Sequence, residues 1–291
     1  MLYSIAEVRI FAEALDHPEG VAVGQDGTVY AGGEAGQVYR ISPDGKKVEI
    51  IAQTGGFCLG ITLDQEDKIY VCDAVKQQVL KVSKDGKVQV VAESVDGRKF
   101  QNPNFSVFDS RANLYVSDSG EWKKANGFIG RIAPDGRACI FSPGPFHFAN
   151  GLALDADERY LYVVESNLDR VLRVEIQPDG RAGSAEVFAE GLAHVPDGLA
   201  FDAAGNLYVT MYGSSAIYRI TPRREATLLC QDTESEVLCL ATNCAFAGAE
   251  FDQLLVANLG HHYISVLDLK VKGQPLWNHR RGYKAEAKKA G

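Results

Sequence analysis

Six similar segments of the chain begin with residues of which four could bind a metal ion. The segments begin at Glu19, Leu59, Asn104, Asn150, Asp197 and Thr242. Two of these residues carry carboxylates, Glu19 and Asp197, and two carry carboxamides, Asn104 and Asn150. An all-oxygen set with two anionic members suits Ca²⁺ or another hard divalent ion, such as Mg²⁺ or Mn²⁺. If the four side chains converge, they can form one divalent metal site.

The repeated segments predict how these residues are positioned. Each segment combines a short apolar strand, a polar turn rich in Asp, Gly and Asn, and a second strand around Tyr-Val, as in DGLAFDAAGNLYVTM. The turn residues supply the positive-φ positions that tight hairpins need. A third strand such as QVYRIS and a fourth such as KVEIIAQ follow, and successive segments start 40 to 47 residues apart. This period indicates a unit of four strands.

The sixth unit lacks a fourth strand at its own end of the chain. The stretch KVKGQPLWNHRR is too polar and too short, whereas EVRIFAE, residues 7–13, matches the fourth-strand pattern. The sequence therefore predicts an all-β, six-bladed β-propeller in which the N-terminal strand closes the last blade and removes the exposed edges. We expect one domain over residues 1–276 and a basic C-terminal tail over residues 277–291.

In a propeller the first strand of each blade lines the central channel, so the six starting residues should face one another. Taken singly, Asn and Asp at strand entries are explained by local hydrogen bonding. Together, acidic and amide oxygens crowded at a narrow axis without Lys or Arg would be costly unless a cation neutralised them. Their joint occurrence therefore favours a metal site.

Several units resemble a known family. HPEGVAV, ANGLALD, VPDGLAFD and TNCAFAGAEFDQLLVANLG resemble the gluconolactonase, regucalcin (senescence marker protein) and luciferin-regenerating-enzyme superfamily, over about residues 6–269. The resemblance implies that Glu19, Asn104, Asn150 and Asp197 hold one divalent metal ion. Ca²⁺ is favoured over Mg²⁺, Mn²⁺, Zn²⁺ and Fe²⁺. It also implies that Asp197 serves both as ligand and as general base.

Two positions depart from the family pattern. Members of the family usually follow the blade-three Asn with Asp, whereas Phe105 stands there in this chain. The aldonolactonase members carry an Arg two residues before that Asn to grip sugar hydroxyls, and here the residue is Asn102. These departures therefore favour a more apolar lactone or ester over a polyhydroxylated sugar lactone as the expected small-molecule substrate.

These residues predict ester hydrolysis without a serine nucleophile. A metal at the floor of a funnel polarises a carbonyl and lowers the pKa of a bound water. Asp197 is expected to take the proton from water, and Glu19 to act as a ligand only. The chain contains no G-x-S-x-G nucleophile elbow. We therefore expect a lactonase or related carboxylic ester hydrolase.

Substrate contacts are less well specified by the sequence. The candidates are Asn102, Asp118, His147 and Tyr212. His147 lies in the loop PGPFHFAN, where it could donate to substrate or pack among aromatic rings. Asp118 could orient a ligand or could cap the end of its strand. The insertion GEWKKANG in blade three is expected to form a rim loop over the site.

The pair His261 and His262 could suggest a transition-metal site. Adjacent residues on a turn point in different directions, and no third ligand is near in sequence. We therefore expect both side chains at the surface or behind the ligands.

Other functions remain open from sequence. A phosphotriester hydrolase of the diisopropyl-fluorophosphatase type would use the same metal site, with Asp197 as nucleophile or base. A non-catalytic scaffold would have a filled channel and no metal. A strictosidine-synthase-like propeller shares the fold, but the Asn-Asn-Asp set argues against it.

Composition excludes several classes of partner and location. The net charge of −8 and the pI near 5.3 argue against nucleic acid or a membrane surface as partner. No apolar stretch has the length of a signal peptide core or a membrane span. The six cysteines show no paired spacing, so free thiols in a reducing compartment are expected. We predict a cytoplasmic protein.

Overall fold

The computed structural model describes residues 2–280 and shows six four-stranded antiparallel sheets. The innermost strands of the sheets contact one another in chain order, and the innermost strand of the sixth contacts that of the first. This closed ring is the six-bladed β-propeller expected from the repeat, and the fold prediction is confirmed.

The strands are numbered in chain order, beginning with the closing strand β1 (Val8–Glu13). Blade one contains β2 (Val21–Val23), β3 (Val29–Gly32), β4 (Gln37–Ile41) and β5 (Val48–Gln53). Blade two contains β6 (Cys58–Leu63), β7 (Ile69–Asp73), β8 (Gln78–Val82) and β9 (Val88–Ala92). A small hairpin follows, made of β10 (Ser94–Val95) and β11 (Arg98–Lys99).

The remaining blades follow the same pattern. Blade three contains β12 (Pro103–Phe108), β13 (Leu114–Asp118), β14 (Gly127–Ile132) and β15 (Ala138–Phe146). Blade four contains β16 (Ala149–Leu154), β17 (Tyr160–Glu165), β18 (Arg170–Ile176) and β19 (Ala182–Ala189). Blade five contains β20 (Pro196–Phe201), β21 (Leu207–Met211), β22 (Ala216–Ile220) and β23 (Ala226–Gln231). Blade six contains β24 (Ala241–Ala247), β25 (Gln253–Asn258) and β26 (Tyr263–Asp268).

Four short 3₁₀ helices complete the described chain. They span Ile5–Glu7, Ser166–Leu168, Tyr212–Ser214 and Trp277–His279. None of the helices within residues 2–280 has the length and apolar character needed to span a membrane.

Closure of the ring depends on β1. This strand pairs antiparallel with β26, from Val8 opposite Leu267 to Glu13 opposite Tyr263. The side chains of Ala12, in this strand, and Leu15, just after it, join a buried cluster with residues of blades six and one. The other five apolar clusters lie in the same way between neighbouring blades. The core is therefore divided into six wedges, and β1 completes the last of them.

Glycine follows several of the axial residues because the first strands pack main chain against main chain. A Cβ atom built on Gly60 would lie 2.6 Å from the Asn104 carbonyl oxygen. A Cβ atom on Gly198 would lie 2.8 Å from the Thr242 carbonyl oxygen. Real Cβ atoms do not come this close, so the repeated x-Gly pair reflects the narrow spacing at the axis.

The far end of the channel is covered by the C-terminal segment of the described chain. Gln274 donates from Nε2 to the Leu154 carbonyl oxygen at 2.9 Å, and Asn278 donates from Nδ2 to the Val23 carbonyl oxygen at 3.0 Å. A narrow apolar cavity of about 60 Å³ lies above this segment. Residues 277–280 thus pack against the propeller, and the rest of the expected basic tail lies outside the described residues. The boundary at residue 276 stays a prediction.

Candidate metal centre

The starting residues of the six segments meet at one mouth of the channel. Five of them line an open pocket of about 430 Å³, namely Glu19, Leu59, Asn104, Asp197 and Thr242. The sixth, Asn150, lies behind the pocket wall and donates from Nδ2 to Asp197 Oδ2 at 3.0 Å. The four oxygen-bearing side chains named from the repeat are therefore brought together by four different blades.

The four side chains are almost fully buried, with exposed fractions of 3% to 5%. Oδ1 of Asn104, Oδ1 of Asn150 and Oδ1 of Asp197 are buried without any hydrogen-bond partner among the described residues. An unsatisfied buried acceptor costs about 1–3 kcal/mol, and native proteins keep few of them. Three such oxygens, converging from three blades, are the donor set that a hard divalent cation would satisfy. The residues present fit a metal of this kind.

Hydrogen bonds to Asn150, Asp197 and Glu19 determine which side-chain oxygens of these residues are left to bind a metal ion. Asn150 donates its amide to Asp197 Oδ2 and to Ser166 Oγ, at 3.0 and 3.2 Å. The amide is thereby oriented, and Oδ1 is left as its free acceptor. Glu19 Oε2 accepts from Asn243 Nδ2 at 3.0 Å, and the same Nδ2 lies 3.1 Å from the Glu19 carbonyl oxygen. Asn243 therefore holds both the main chain and the side chain of Glu19.

Burial perturbs both acids, and repulsion from Asp197 adds to the effect on Glu19. Burial raises the pKa of the Glu19 carboxyl well above its usual range, the neighbouring Asp197 carboxylate raises it further, and the Asn243 hydrogen bond opposes both. Burial raises the pKa of the Asp197 carboxyl to about 7, against the opposing hydrogen bond from Asn150. Both acids are thus disfavoured as anions until a nearby positive charge compensates them.

Side-chain hydroxyls fasten the axial main chain from one blade to the next. Ser117 Oγ of blade three donates to the Asn150 carbonyl oxygen of blade four at 2.7 Å. Thr242 Oγ1 of blade six donates to the Glu19 carbonyl oxygen of blade one at 2.8 Å. Thr210 of blade five donates to the Thr242 carbonyl oxygen in the same manner. The main chain at Glu19, Asn150 and Thr242 is therefore hydrogen-bonded to a side chain of the neighbouring blade.

Asp118 lies behind the pocket and not in its wall. Its carboxylate is fully buried and accepts from the main-chain N–H groups of Gln101, Asn102 and Gly120, at 2.7, 3.2 and 2.9 Å. Burial raises the pKa of this carboxyl, while the N–H donors lower it. The geometry is that of a strand-end cap that holds the loop carrying Asn102. Equivalent bonds to the preceding loop are made in other blades by Asp73, Glu165 and Asn258.

The other substrate candidates are divided between two adjoining pockets. Asn102 and Tyr212 line the axial pocket. His147 lines a neighbouring pocket of about 380 Å³, which also contains Lys123, Asp169 and His194. Trp122, from the blade-three insertion, contributes to both pockets and makes an edge-to-face contact with Phe148 at 4.8 Å. The insertion therefore lies at the rim of the site.

The wall of the axial pocket is mostly apolar. Its apolar side chains are Phe57, Leu59, Ala74, Trp122, Phe148, Val195 and Leu259. Polar groups are confined to the floor, where the metal-ligand candidates lie, and to Asn102, Tyr212 and Thr242. Such a pocket favours a small molecule with an apolar body and one polar end.

Asn243 is the functional candidate that the sequence reasoning missed. Its segment begins Thr242-Asn243, where most other segments have an axial residue followed by glycine. The presence of asparagine where most other segments have glycine was the sequence signal that could have identified Asn243. Its meaning depends on ring closure, because only closure brings Asn243 next to Glu19 at the other end of the chain.

Two protein-family models match the chain. The model for the SMP-30/gluconolactonase/LRE-like region matches residues 51–259. The chain belongs to this family. A second model, the N-terminal region of strictosidine synthase-like proteins, matches residues 7–41. The superfamily suggested by the sequence motifs is thereby confirmed.

Curated relatives of the SMP-30/gluconolactonase/LRE-like chain carry two kinds of name. Protein strictosidine synthase-like 6 of Arabidopsis thaliana is 30% identical over 68% of this chain and 57% of its own length. The gluconolactonase of Zymomonas mobilis is 29% identical over 71% of this chain and 62% of its own length. The matched regions therefore span less than two thirds of these relatives.

Solved structures show the same fold at low identity. Regucalcin from Agrobacterium tumefaciens, a calcium-binding protein, superposes with a TM-score of 0.75 at 18% identity, covering 95% of this chain and 99% of that one. The six-bladed architecture is thus shared over nearly the full described length.

Proposed function

We propose that this protein is a metal-dependent hydrolase that opens a lactone or cleaves a related ester. The observation that carries the proposal is the set of three buried, unpartnered oxygens on Asn104, Asn150 and Asp197, beside the Glu19 carboxylate. The family relationship of this protein to one named gluconolactonase supports a lactone as the class of substrate.

Glu19, Asn104, Asn150 and Asp197 would hold one divalent ion. Ca²⁺ is proposed first, because every donor is oxygen and a structural relative is a calcium-binding protein. When bound, the ion would supply Lewis acidity to the substrate carbonyl and lower the pKa of water at the site.

Asp197 is the proposed general base. Its Oδ2 already accepts from Asn150, so Oδ1 is the oxygen that can take a proton, on the lone pair that does not face the ion. As the oxygen of water bonds to the carbonyl carbon, the proton passes to Asp197 Oδ1. The ring C–O bond then breaks, and the same proton is returned to the leaving alkoxide. Glu19, held by Asn243, keeps its position and takes no part in proton transfer.

The apolar pocket wall supports a substrate less polar than a sugar lactone. Phe57, Trp122 and Phe148 would cover the apolar body of the substrate. Asn102 offers a neutral amide where aldonolactonase members carry an arginine. Tyr212 adds a hydroxyl at the same wall, and a longer substrate could extend past Trp122 toward His147. We expect aliphatic lactones to be hydrolysed faster than gluconolactone.

The test is hydrolysis of a panel of lactones by metal-stripped protein, with and without added Ca²⁺. Chelation should abolish turnover and Ca²⁺ should restore it. Asp197→Asn should reduce kcat by a factor on the order of 10² to 10⁴. Asp179→Asn, the same change at an exposed turn, should leave kcat unchanged.

Three outcomes would contradict parts of the proposal. Turnover that resists chelation would exclude the metal, and a faster reaction with gluconolactone would exclude the apolar preference. Hydrolysis of phosphotriesters with no hydrolysis of lactones would assign the site to the diisopropyl-fluorophosphatase type instead.

A further inference from the structure

Three potential metal ligands meet where the ring closes, and none of the three lines the axial pocket. They are Asp16, His17 and His262, and one ligand atom of each lies within 4.8 Å of the others. The two imidazole rings contact edge to face, with centroids 4.4 Å apart. Asp16 and His17 follow β1, and His262 directly precedes β26, so the group spans the closing pair of strands.

The hydrogen bonds of the two histidines set their tautomers. His17 Nδ1 lies 2.8 Å from the Leu259 carbonyl oxygen, and His262 Nδ1 lies 3.0 Å from the Leu15 carbonyl oxygen. A carbonyl oxygen can only accept, so each Nδ1 carries the hydrogen. In a neutral imidazole the lone pair is then on Nε2, available to a metal. Proteins commonly orient metal-binding histidines by this bond from the other ring nitrogen to a carbonyl.

The Asp16 carboxylate is oriented as well. Its Oδ2 accepts from the Ala35 main-chain N–H at 3.1 Å and from Gln37 Nε2 at 2.9 Å. The carboxylate is therefore held in place beside the two rings and keeps Oδ1 for another partner. Asp16 and His17 are half-buried while His262 is exposed, so an ion can reach the group from solvent.

We propose that Asp16, His17 and His262 form a second metal site, selective for Zn²⁺ or a similar divalent transition ion. Two imidazoles and one carboxylate suit Zn²⁺, which in proteins often has three such ligands and a fourth open position. The axial centre offers only oxygen and suits a harder ion. The two sites therefore differ in the metal they select, and this inference does not depend on the proposed hydrolase activity.

An ion at this place fastens the ring. Leu15 donates its main-chain N–H to the His262 carbonyl oxygen at 3.0 Å, next to the β1–β26 pairing. An ion bound to Asp16, His17 and His262 adds a link between the first and last parts of the propeller. Because the unfolded chain does not bring these residues together, binding stabilises the folded state.

His261 is a natural control. Its Nε2 lies 3.0 Å from the Ser235 carbonyl oxygen, and its ring stacks on Tyr263 with centroids 4.9 Å apart. It therefore belongs to a different set of contacts from its neighbour His262, and it should not contribute to zinc binding.

The test is calorimetric titration of Zn²⁺ into tag-free protein saturated with Ca²⁺. We expect one zinc ion per chain in the wild type, in His261→Gln and in the axial variant Asp197→Asn. His262→Gln and Asp16→Asn should weaken zinc binding at least tenfold. No saturable binding in the wild type, or equal affinity in His262→Gln, would overturn the second site. Loss of zinc binding in Asp197→Asn with retention in His262→Gln would place zinc at the axis and would also overturn it.

Thermal unfolding tests the fastening and shows that the variants are folded. Zinc at a hundredfold excess over its Kd should raise the Tm of the wild type and of His261→Gln by roughly 5 °C or more. At the same zinc concentration, the rise in the Tm of His262→Gln should be at most about half that of the wild type, because its binding is at least tenfold weaker. Wild-type protein that binds zinc without a rise in Tm would contradict the fastening role.

Discussion

At the scale of single residues, two amide side chains hold the two axial carboxylates by hydrogen bonds. Asn150 occupies Oδ2 of Asp197 and leaves Oδ1 free. Asn243 holds Glu19 at both its side chain and its main chain. A ligand that is already oriented loses less conformational entropy when an ion binds, so these amides should raise metal affinity.

Asn243→Ala tests this positioning role. The change removes two side-chain hydrogen bonds to Glu19 while keeping all four proposed ligands. We expect Ca²⁺ affinity to fall about 10- to 100-fold in calorimetric titration, as for other residues that orient metal ligands. Asn113→Ala, which removes an asparagine bonded to Asp109 at a turn, is the control and should keep wild-type affinity. Unchanged affinity in Asn243→Ala would show that Glu19 needs no such support.

The raised pKa values predict a dependence on pH. The pKa of the Asp197 carboxyl is about 7 in the folded protein and about 4 in an unfolded chain. Without metal, the folded state therefore holds this proton more tightly, and its stabilising effect is lost as the pH rises from about 4 through 7. Metal binding needs the ionised form, so Ca²⁺ affinity should increase between about pH 5.5 and 7.5.

Two measurements check the sign of this effect. Urea unfolding of metal-free protein should give a higher free energy of unfolding at about pH 5.5 than at about pH 7.5, and Asp197→Asn should reduce that difference. Calorimetry in two buffers of different ionisation enthalpy should show proton release when Ca²⁺ binds. Ca²⁺ affinity that falls with rising pH would contradict the assignment.

At the scale of the strands, the site is positioned by close main-chain packing between blades. Glycine after the axial residue allows neighbouring first strands to approach, and hydroxyls such as Ser117 and Thr242 lock the main chain of the next ligand. The ends of the second strands provide caps such as Asp118 for the loops that lead into the first strands. Three of the four ligand candidates, Asn104, Asn150 and Asp197, therefore lie within strands, while Glu19 lies two residues before β2.

Gly60→Ala tests this packing without touching a ligand. The added Cβ would lie 2.6 Å from the Asn104 carbonyl oxygen and 2.7 Å from the Phe105 Cα, both main-chain atoms that cannot move freely. We expect a loss of about 1–3 kcal/mol in the free energy of unfolding, measured with urea, together with weaker Ca²⁺ binding through Asn104.

The matched control for this substitution is Gly24→Ala. There the nearest atoms would lie 3.3 Å away, at the Asp26 side chain, and 3.4 Å away, at the Thr28 carbonyl oxygen. This variant should lose less stability than Gly60→Ala and should bind Ca²⁺ as the wild type does. Equal stability losses in the two variants would contradict the close-packing account.

At the scale of the whole molecule, local sequence patterns predicted the ring of blades, but they did not predict contacts between residues far apart in the chain. Strand alternation and turn residues repeat within each unit, so the six blades and the closing role of residues 7–13 follow from neighbours in sequence. Local patterns could not predict that Asp118 lies behind the pocket. An aspartate at the end of this strand is equally suited to capping the preceding loop and to binding a ligand. The contact between His17 and His262 joins positions near opposite ends of the chain, and only the closed ring brings them together.

The C-terminal segment shows the same dependence on the closed ring. Asn278 Nδ2 donates to the Val23 carbonyl oxygen at 3.0 Å, and His279 Nε2 lies 2.9 Å from the same oxygen. Gln274 bonds to the Leu154 carbonyl oxygen. These contacts join the segment to blades one and four at the end of the channel opposite Glu19. The segment is polar in sequence, and its burial comes from satisfying carbonyl groups at the ends of innermost strands.

Comparison of two shortened proteins, ending at Arg280 and at Lys272, isolates this contribution. The shorter protein loses the hydrogen bonds of Gln274, Asn278 and His279 and leaves their buried acceptors exposed. At about 1 kcal/mol for each of these three side-chain bonds, its free energy of unfolding in urea should be lower by at least roughly 3 kcal/mol. Its Ca²⁺ affinity should match that of the longer protein, because the axial ligands lie at the other mouth of the channel. Equal stabilities would show that the segment rests on the propeller without supporting it, and a loss of Ca²⁺ binding at preserved fold would mean that the two mouths are coupled through the channel.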